Sequence, residues 1–179
     1  EDEVAWAERP EIDRWILSEL NSLIIRVDEA YAAYEPTWAG RAISEFVYDH
    51  LSNWYVRLSR RRFWKGDYSK DKISAYQTLY RCLDVVAHLI SPIAPFYADH
   101  LFLDLNRITG RHSVPSVHLS DFPVAEAAWI DKELEERMQL AQKLSSMVLS
   151  LRKRTNIRVR QPLNAIMVPV SDPRFAAQL

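Results

Sequence analysis

The chain has 179 residues, room for one large domain or a domain with the edge of another, and enough to bury about 70% of its unfolded surface. Three glycines are too few for glycine-rich phosphate loops or a many-turned β architecture, and neither GxGxxG nor GxxxxGK[ST] occurs. With 48% apolar and 26% charged residues, the chain is too hydrophobic for disorder and too charged to span a bilayer.

The net charge of −1 conceals opposed blocks. Glu1 to Glu35 carries a net −7, Pro36 to Gly66 a net +4, and Arg152 to Pro162 five bases with no acid. Such separation builds a local positive field suited to a polyanion while the whole chain stays near neutral; simple solvation of charged faces is the competing explanation. The opening at Glu1, with no Met and no apolar leader, reads as a segment of something longer.

Pro10 suits a first helical turn, and Ile12, Ile16, Leu20, Leu23, Val27 and Tyr31 then mark one buried stripe of a helix running to about Tyr34. Glu35-Pro36 interrupts it and opens a second helix. Its expected stripe is Ile43, Val47, Leu51, Trp54 and Leu58, with a stop at Lys65-Gly66-Asp67. Ser69 can cap a third helix, with Asp71 in its first turn and Ile73, Tyr76, Leu79, Tyr80, Leu83, Val86, Ala87 and Ile90 facing inward. Cys82 falls in that run, which predicts a packed thiol rather than a disulfide or zinc ligand.

Pro92 and Pro95 introduce a fourth helix with Phe96, Tyr97, Leu101, Leu105 and Ile108 inward and Gly110 closing it. Arg111 to Phe122 reads as an extended linker crossing the bundle surface. A fifth helix follows from about Ile130, with Leu134, Met138, Ala141, Leu144, Val148 and Leu151 in period and bases crowding its last turn, opposite the helix dipole. Ala165 to Val170 has strand-like composition, and its mates are expected beyond Leu179. The predicted fold is all-α: an antiparallel bundle of four helices plus a long fifth helix, with a short C-terminal strand belonging to a following module. The predicted boundaries are 1–122 for the bundle, 123–160 for the long helix packing on it, and 161–179 for the start of the next module.

Catalytic constellations are scarce. The five histidines form no HExxH, and no GxSxG or Cys/His nucleophile signature is present; His50 and His88 read as packed or rim residues. The informative stretch is Leu51-Ser52-Asn53-Trp54-Tyr55-Val56-Arg57-Leu58-Ser59-Arg60-Arg61-Arg62-Phe63-Trp64. On a regular helix, with Trp54 at zero, Arg57, Trp64, Asn53 and Arg60 fall between about −60° and −120°, on a strip bordering the core. Cations, an amide and an indole on one strip suit unstacked nucleobases: aromatic planes stack on bases, arginines neutralise phosphates and amides read base edges. The structural alternatives are Trp64 folding back to cap the bundle and Arg57 pairing with an acid of the first helix.

The set Asp13-Arg14-Trp15-Ile16-Leu17, Tyr34-Glu35-Pro36, Ser52-Asn53-Trp54-Tyr55-Val56-Arg57 followed by Arg60-Arg61-Arg62-Phe63-Trp64, Pro92-Ile93-Ala94-Pro95-Phe96-Tyr97-Ala98-Asp99 and Val159-Arg160-Gln161-Pro162-Leu163 resembles the anticodon-binding region of isoleucyl-tRNA synthetases. The opening motif is shared with valyl-tRNA synthetases and, more loosely, other class I relatives, whereas Ser52 to Arg57 followed by Arg60 to Trp64, and the Arg160-Gln161-Pro162-Leu163 element, look particularly like the isoleucine enzymes. The resemblance implies a cytoplasmic ligase that attaches isoleucine to tRNA using ATP and Mg, with no cofactor and no catalytic residue in this segment. HIGH and KMSKS do not occur in it, so the resemblance implies that the catalytic and editing domains lie elsewhere in the same longer chain. It further implies that the partner is the anticodon stem-loop of tRNA rather than a membrane. Asn53, Arg57, Arg60 and Trp64 are then base or backbone contacts, and Arg152, Arg154, Arg158 and Arg160 contacts to the tRNA backbone, with an intramolecular role for Arg160 as the alternative. Outside that resemblance, a helical protein-interaction module binding acidic helices remains the competing reading.

Overall fold

A computed structural model describes residues 3–64 and 67–168. Among them the chain is helical with no strand: α1 (Glu11–Ala32), α2 (Pro36–Glu45), a π-helix (Phe46–Val56), α3 (Arg60–Trp64), α4 (Lys70–Ile90), α5 (Pro95–Thr109) and α6 (Lys132–Arg154), with short 3-10 turns between. The chain divides into two compact units, one ending at Asp131 and one beginning at Lys132. The first is an up-and-down bundle. Near the start of α1, Asp13 meets Ser74 of α4; near its end the Tyr31 hydroxyl donates to the Leu89 carbonyl at 2.8 Å, so α1 and α4 run parallel. The rod of α2, the π-helix and α3 returns between them, and α5 returns from α4.

The caps are those the sequence asks for. Ser69 Oγ accepts from the Lys72 amide, Pro36 and Pro95 occupy first turns, and Gly110 ends α5 in the left-handed region at φ 60°. The expected stop at Lys65-Gly66 lies outside the described residues, as does part of the expected strand, and Ala165 to Val168 adopts no strand.

The core faces differ from the expected stripes, each for a physical reason. α1 is buried on nearly every side from Trp15 to Ile24, because the linker after α5 also lies along it. Two of its buried polar residues serve that linker: Asn21 Oδ1 accepts from the Glu126 amide and Ser18 Oγ from the Asp131 amide, both at 2.8 Å. On α4 Val86 and Ala87 are buried as expected, but so is the line Ala75, Thr78, Cys82, Val85 and Leu89, at steps of three and four, while Tyr76 is exposed and Ile73, Leu79, Tyr80, Leu83 and Ile90 are only half-buried. Small side chains let α4 approach α1 closely and leave room for polar partners; the larger apolar residues cover the flanks. Burial also pushes the Cys82 thiol well above its ordinary pKa, as a packed thiol requires.

In α5 the expected inward set holds only in part, with Leu101 packed partly buried against the core and Leu105 half-buried. Phe96, Tyr97 and Ile108 face solvent, and the core is reached by Ala98 and Phe102, which pack with Ala87 and Val117. The linker supplies Val117, held by Asp99, whose Oδ1 accepts from Ser116 Oγ at 2.7 Å and the Val117 amide at 3.0 Å.

Candidate nucleic-acid interface

The rod from Ile43 to Ser59 buries Ile43, Phe46, Leu51, Tyr55 and Ser59, at steps of three, five, four and four. The wide turns of the π-helix carry the buried line past a regular α spacing, so Tyr55 and Ser59 point inward where Trp54 and Leu58 were expected. Leu58 is in fact 57% exposed. From Tyr55 onward the turns tighten again, with the Ser59 amide bonded to the Tyr55 carbonyl at 2.9 Å and the Arg62 amide to the Ser59 carbonyl at 2.9 Å.

Ser59 therefore sets the azimuth of the three arginines. Taking it as zero at 100° per residue, Arg57, Arg60, Arg61 and Trp64 fall between about 100° and 200°, away from the core, whereas Arg62 falls about 60° from it. The burial pattern agrees. Asn53, Arg57, Arg60, Arg61 and Trp64 are all exposed, Trp64 at 78%. The strip thus stands clear of the core instead of bordering it.

Arg62 takes the inward route and is fully committed. Its Nη1 and Nη2 donate to both oxygens of Asp13 at 2.6 and 2.8 Å, and its Nε donates to Asp71 at 3.0 Å. Asp13 is completely buried and accepts further from the Tyr55 hydroxyl at 2.9 Å and Ser74 Oγ at 2.5 Å. Burial opposes the charge on Arg62, but the hydrogen bonds to Asp13 and Asp71 outweigh it and raise its pKa. Burial first, and then the Asp13 charge, push the Tyr55 hydroxyl up, so it stays a donor. The acid of the first helix does take an arginine as partner: Arg62, not Arg57. The sequence offered one signal of this division, since only one of three consecutive residues on a helix can share the azimuth of the core.

By contrast, Arg57, Arg60 and Arg61 make no ion pair or hydrogen bond through their side chains among the described residues. The result is a row of uncommitted guanidinium groups ending in an exposed indole, fixed at its base by the buried Arg62–Asp13 clasp. Arg61, about 100° round the helix from Arg60, is likewise exposed, and was not among the sequence-derived candidates.

Residues 13–167 match the family described as the anticodon-binding domain of tRNA ligase. The chain belongs to that family. As a member of the anticodon-binding domain family it is 61% identical over its full 179 residues to the isoleucine–tRNA ligase of Bacteroides thetaiotaomicron, and 59% identical over the same length to that of Cytophaga hutchinsonii. The enzyme of the same name from Thermus thermophilus is 42% identical over 160 residues, 89% of this chain. The chain spans about 15% of the length of these curated relatives.

In the second unit, α6 ends with Asn156 in the left-handed region and the Ile157 amide bonded back to the Arg152 carbonyl at 2.9 Å. Arg152 Nη1 donates to the carbonyls of Arg158 and Gln161 at 2.8 and 2.9 Å. That guanidinium holds the following chain against the helix end, the kind of intramolecular role that stood as the alternative for Arg160. Arg154, Arg158 and Arg160 are exposed, and their side chains make no ion pair or hydrogen bond among the described residues.

Proposed function

We propose that this anticodon-binding domain grips the anticodon stem and loop of a tRNA through the ridge of Asn53, Arg57, Arg60 and Trp64. The observation that carries the reading is the split within the arginine triplet: Arg62 is locked to Asp13 and Asp71, while Arg60, Arg61 and Trp64 are exposed and the two arginines have no side-chain partner among the described residues. Uncommitted guanidinium groups suit phosphate oxygens in forked geometry, an exposed indole suits stacking, and the Asn53 amide offers a donor and an acceptor to a base edge. Arg154, Arg158 and Arg160 add backbone contacts, and Arg152 acts chiefly by holding the chain that carries Arg158.

In this reading the full-length protein attaches isoleucine to its tRNA, as the names of the relatives support, and does so with ATP and Mg2+ in the cytoplasm. Among the described residues no helix is long and apolar enough to cross a membrane. Contacts made here act at a distance: a tRNA held by its anticodon arm presents its remote 3′ end to the catalytic domain, so binding energy gained on this surface is used to orient the reacting end.

The test is a division of activities in the full-length protein. Trp64→Ala lowers tRNA affinity by about 1–3 kcal/mol and lowers aminoacylation in proportion, while isoleucine-dependent ATP–pyrophosphate exchange is unchanged. Unaltered tRNA affinity with a lowered melting point makes Trp64 a packing residue and removes it from the site.

A further inference from the structure

A second feature lies at the opposite end of the bundle, where α1 ends, α2 and α5 begin and α4 closes. Between α1 and α2 a pocket of about 340 Å³ is lined by Trp38, by Ala30, Ala33 and Ala42, by the carboxylates of Glu29 and Glu35, and by Arg26, whose Nη1 lies 3.7 Å from Glu45 Oε2. Its volume is in the range of small-ligand sites. Trp38 is 67% exposed, and the side chains of Glu29 and Glu35 make no ion pair or hydrogen bond among the described residues.

Between two of the lining residues stands Tyr34. It is 91% exposed and sits at φ 58°, in the left-handed region where a bulky residue is strained and glycine would not be. The turn itself explains the conformation: the Glu35 amide bonds back to the Ala30 carbonyl at 2.8 Å, closing α1. It does not explain an aromatic ring there, since so exposed a ring packs on little and the fold gains nothing from it in return for the strain. Phe96 and Tyr97, at the adjoining start of α5, add two more exposed rings; α2 approaches that turn closely enough that a Cβ on Gly40 would lie 3.4 Å from Ile93.

We propose that this pocket receives one unstacked nucleobase of the bound RNA loop, stacked on Trp38 and flanked by Tyr34, with Glu29 and Glu35 accepting from its amino or imino N–H groups. The chemistry distinguishes this site from the ridge. Glu29 and Glu35 repel phosphate but accept hydrogen bonds from a base edge, Arg26 is already engaged by Glu45, and an indole beside three alanines offers an apolar surface, as a base face does. The ridge holds the backbone by charge; the pocket reads a base by shape and hydrogen-bond donors. The proposal rests on the RNA-binding reading above.

The experiment measures Kd of the full-length protein for its tRNA and for a blunt RNA duplex without unpaired residues, across a salt series, beside thermal melting. Trp38→Leu weakens tRNA binding about five- to a hundredfold, leaves the slope of log K against log salt unchanged, and leaves duplex binding unaffected. Glu35→Gln weakens tRNA binding only when the loop retains bases bearing amino or imino donors. Tyr34→Gly raises the melting temperature yet weakens tRNA binding, a pairing of opposite signs that a structural role does not produce.

If Trp38→Leu, Glu35→Gln and Tyr34→Gly all leave the tRNA Kd within twofold while Arg57→Ala weakens it, the pocket proposal is overturned and the ridge stands. If the wild type shows no salt-dependent tRNA binding, the underlying reading falls first. If Trp38→Leu instead dissociates an oligomer with tRNA affinity intact, a protein surface occupies this end and the proposal is equally wrong.

Discussion

Asp13 is the residue on which the local architecture turns. A fully buried carboxylate is tolerable only when its oxygens are answered, and here a forked guanidinium and two hydroxyls answer both. Removing one partner leaves the others desolvated and unpaired, so Asp13→Ala is expected to destabilise the protein by about 3–5 kcal/mol, measured by urea unfolding. An exposed ridge residue gives a different result: Arg57→Ala is expected to stay within about 0.5 kcal/mol of the wild type. Composition contains no statement that Asp13 is buried. That carboxylate opens a helix, where acids favour the dipole at the surface, so the residue-level prior points outward; only the third dimension brings Arg62 and Ser74 to it.

Among the elements, helices and their ends were legible because they depend on neighbours in sequence. Ser69, Pro36, Pro95 and Gly110 act within one turn of where they stand. Faces were less legible, for two reasons. The π-helix leaves no mark in composition yet displaces every later residue on its rod, exchanging Trp54 and Leu58 for Tyr55 and Ser59. And α4 buries small and polar residues, Ser74, Ala75, Thr78 and Cys82, where ranking by hydrophobicity selects the half-buried Ile73, Leu79, Tyr80 and Leu83 instead. The ridge survived the displacement because Asn53, Arg57, Arg60 and Trp64 are spaced by three or four and turned together. The pocket beside Trp38 was not legible at all: Glu29 and Trp38 belong to different helices.

The linker gives this scale its own pH test. Hydrogen bonds from Ser116 and the Val117 amide hold the Asp99 carboxyl below its ordinary pKa. A group whose folded pKa is depressed stabilises fully above its unfolded value, near 4 for an aspartate, and loses that stabilisation as pH falls through the lower folded value. Lowering the pH below about 4 is therefore expected to loosen this anchor. At a pH where Asp99 is charged, Asp99→Asn is expected to speed hydrogen exchange at the Val117 amide relative to the wild type; unchanged exchange would show that the Asp99 charge does not hold the linker.

For the molecule as a whole, a net charge of −1 coexists with a row of uncommitted arginines, because acids and bases occupy separate stretches of chain and the fold then neutralises only some of them. Arg62 and Arg9 are absorbed into the bundle, and Arg152 into the turn after α6. Arg57, Arg60 and Arg61 are left over, on one face. A phosphate-binding surface has a signature that a merely solvated face lacks, namely the release of counterions on binding. The measurement is the tRNA affinity of the full-length protein between about 50 and 200 mM salt, for the wild type and for Arg57→Ala combined with Arg60→Ala. If the ridge grips the RNA backbone, the double variant binds more weakly and its slope of log K against log salt is shallower by about 1 for each phosphate no longer neutralised. A double variant that stays folded and keeps both the wild-type affinity and the wild-type slope contradicts the account.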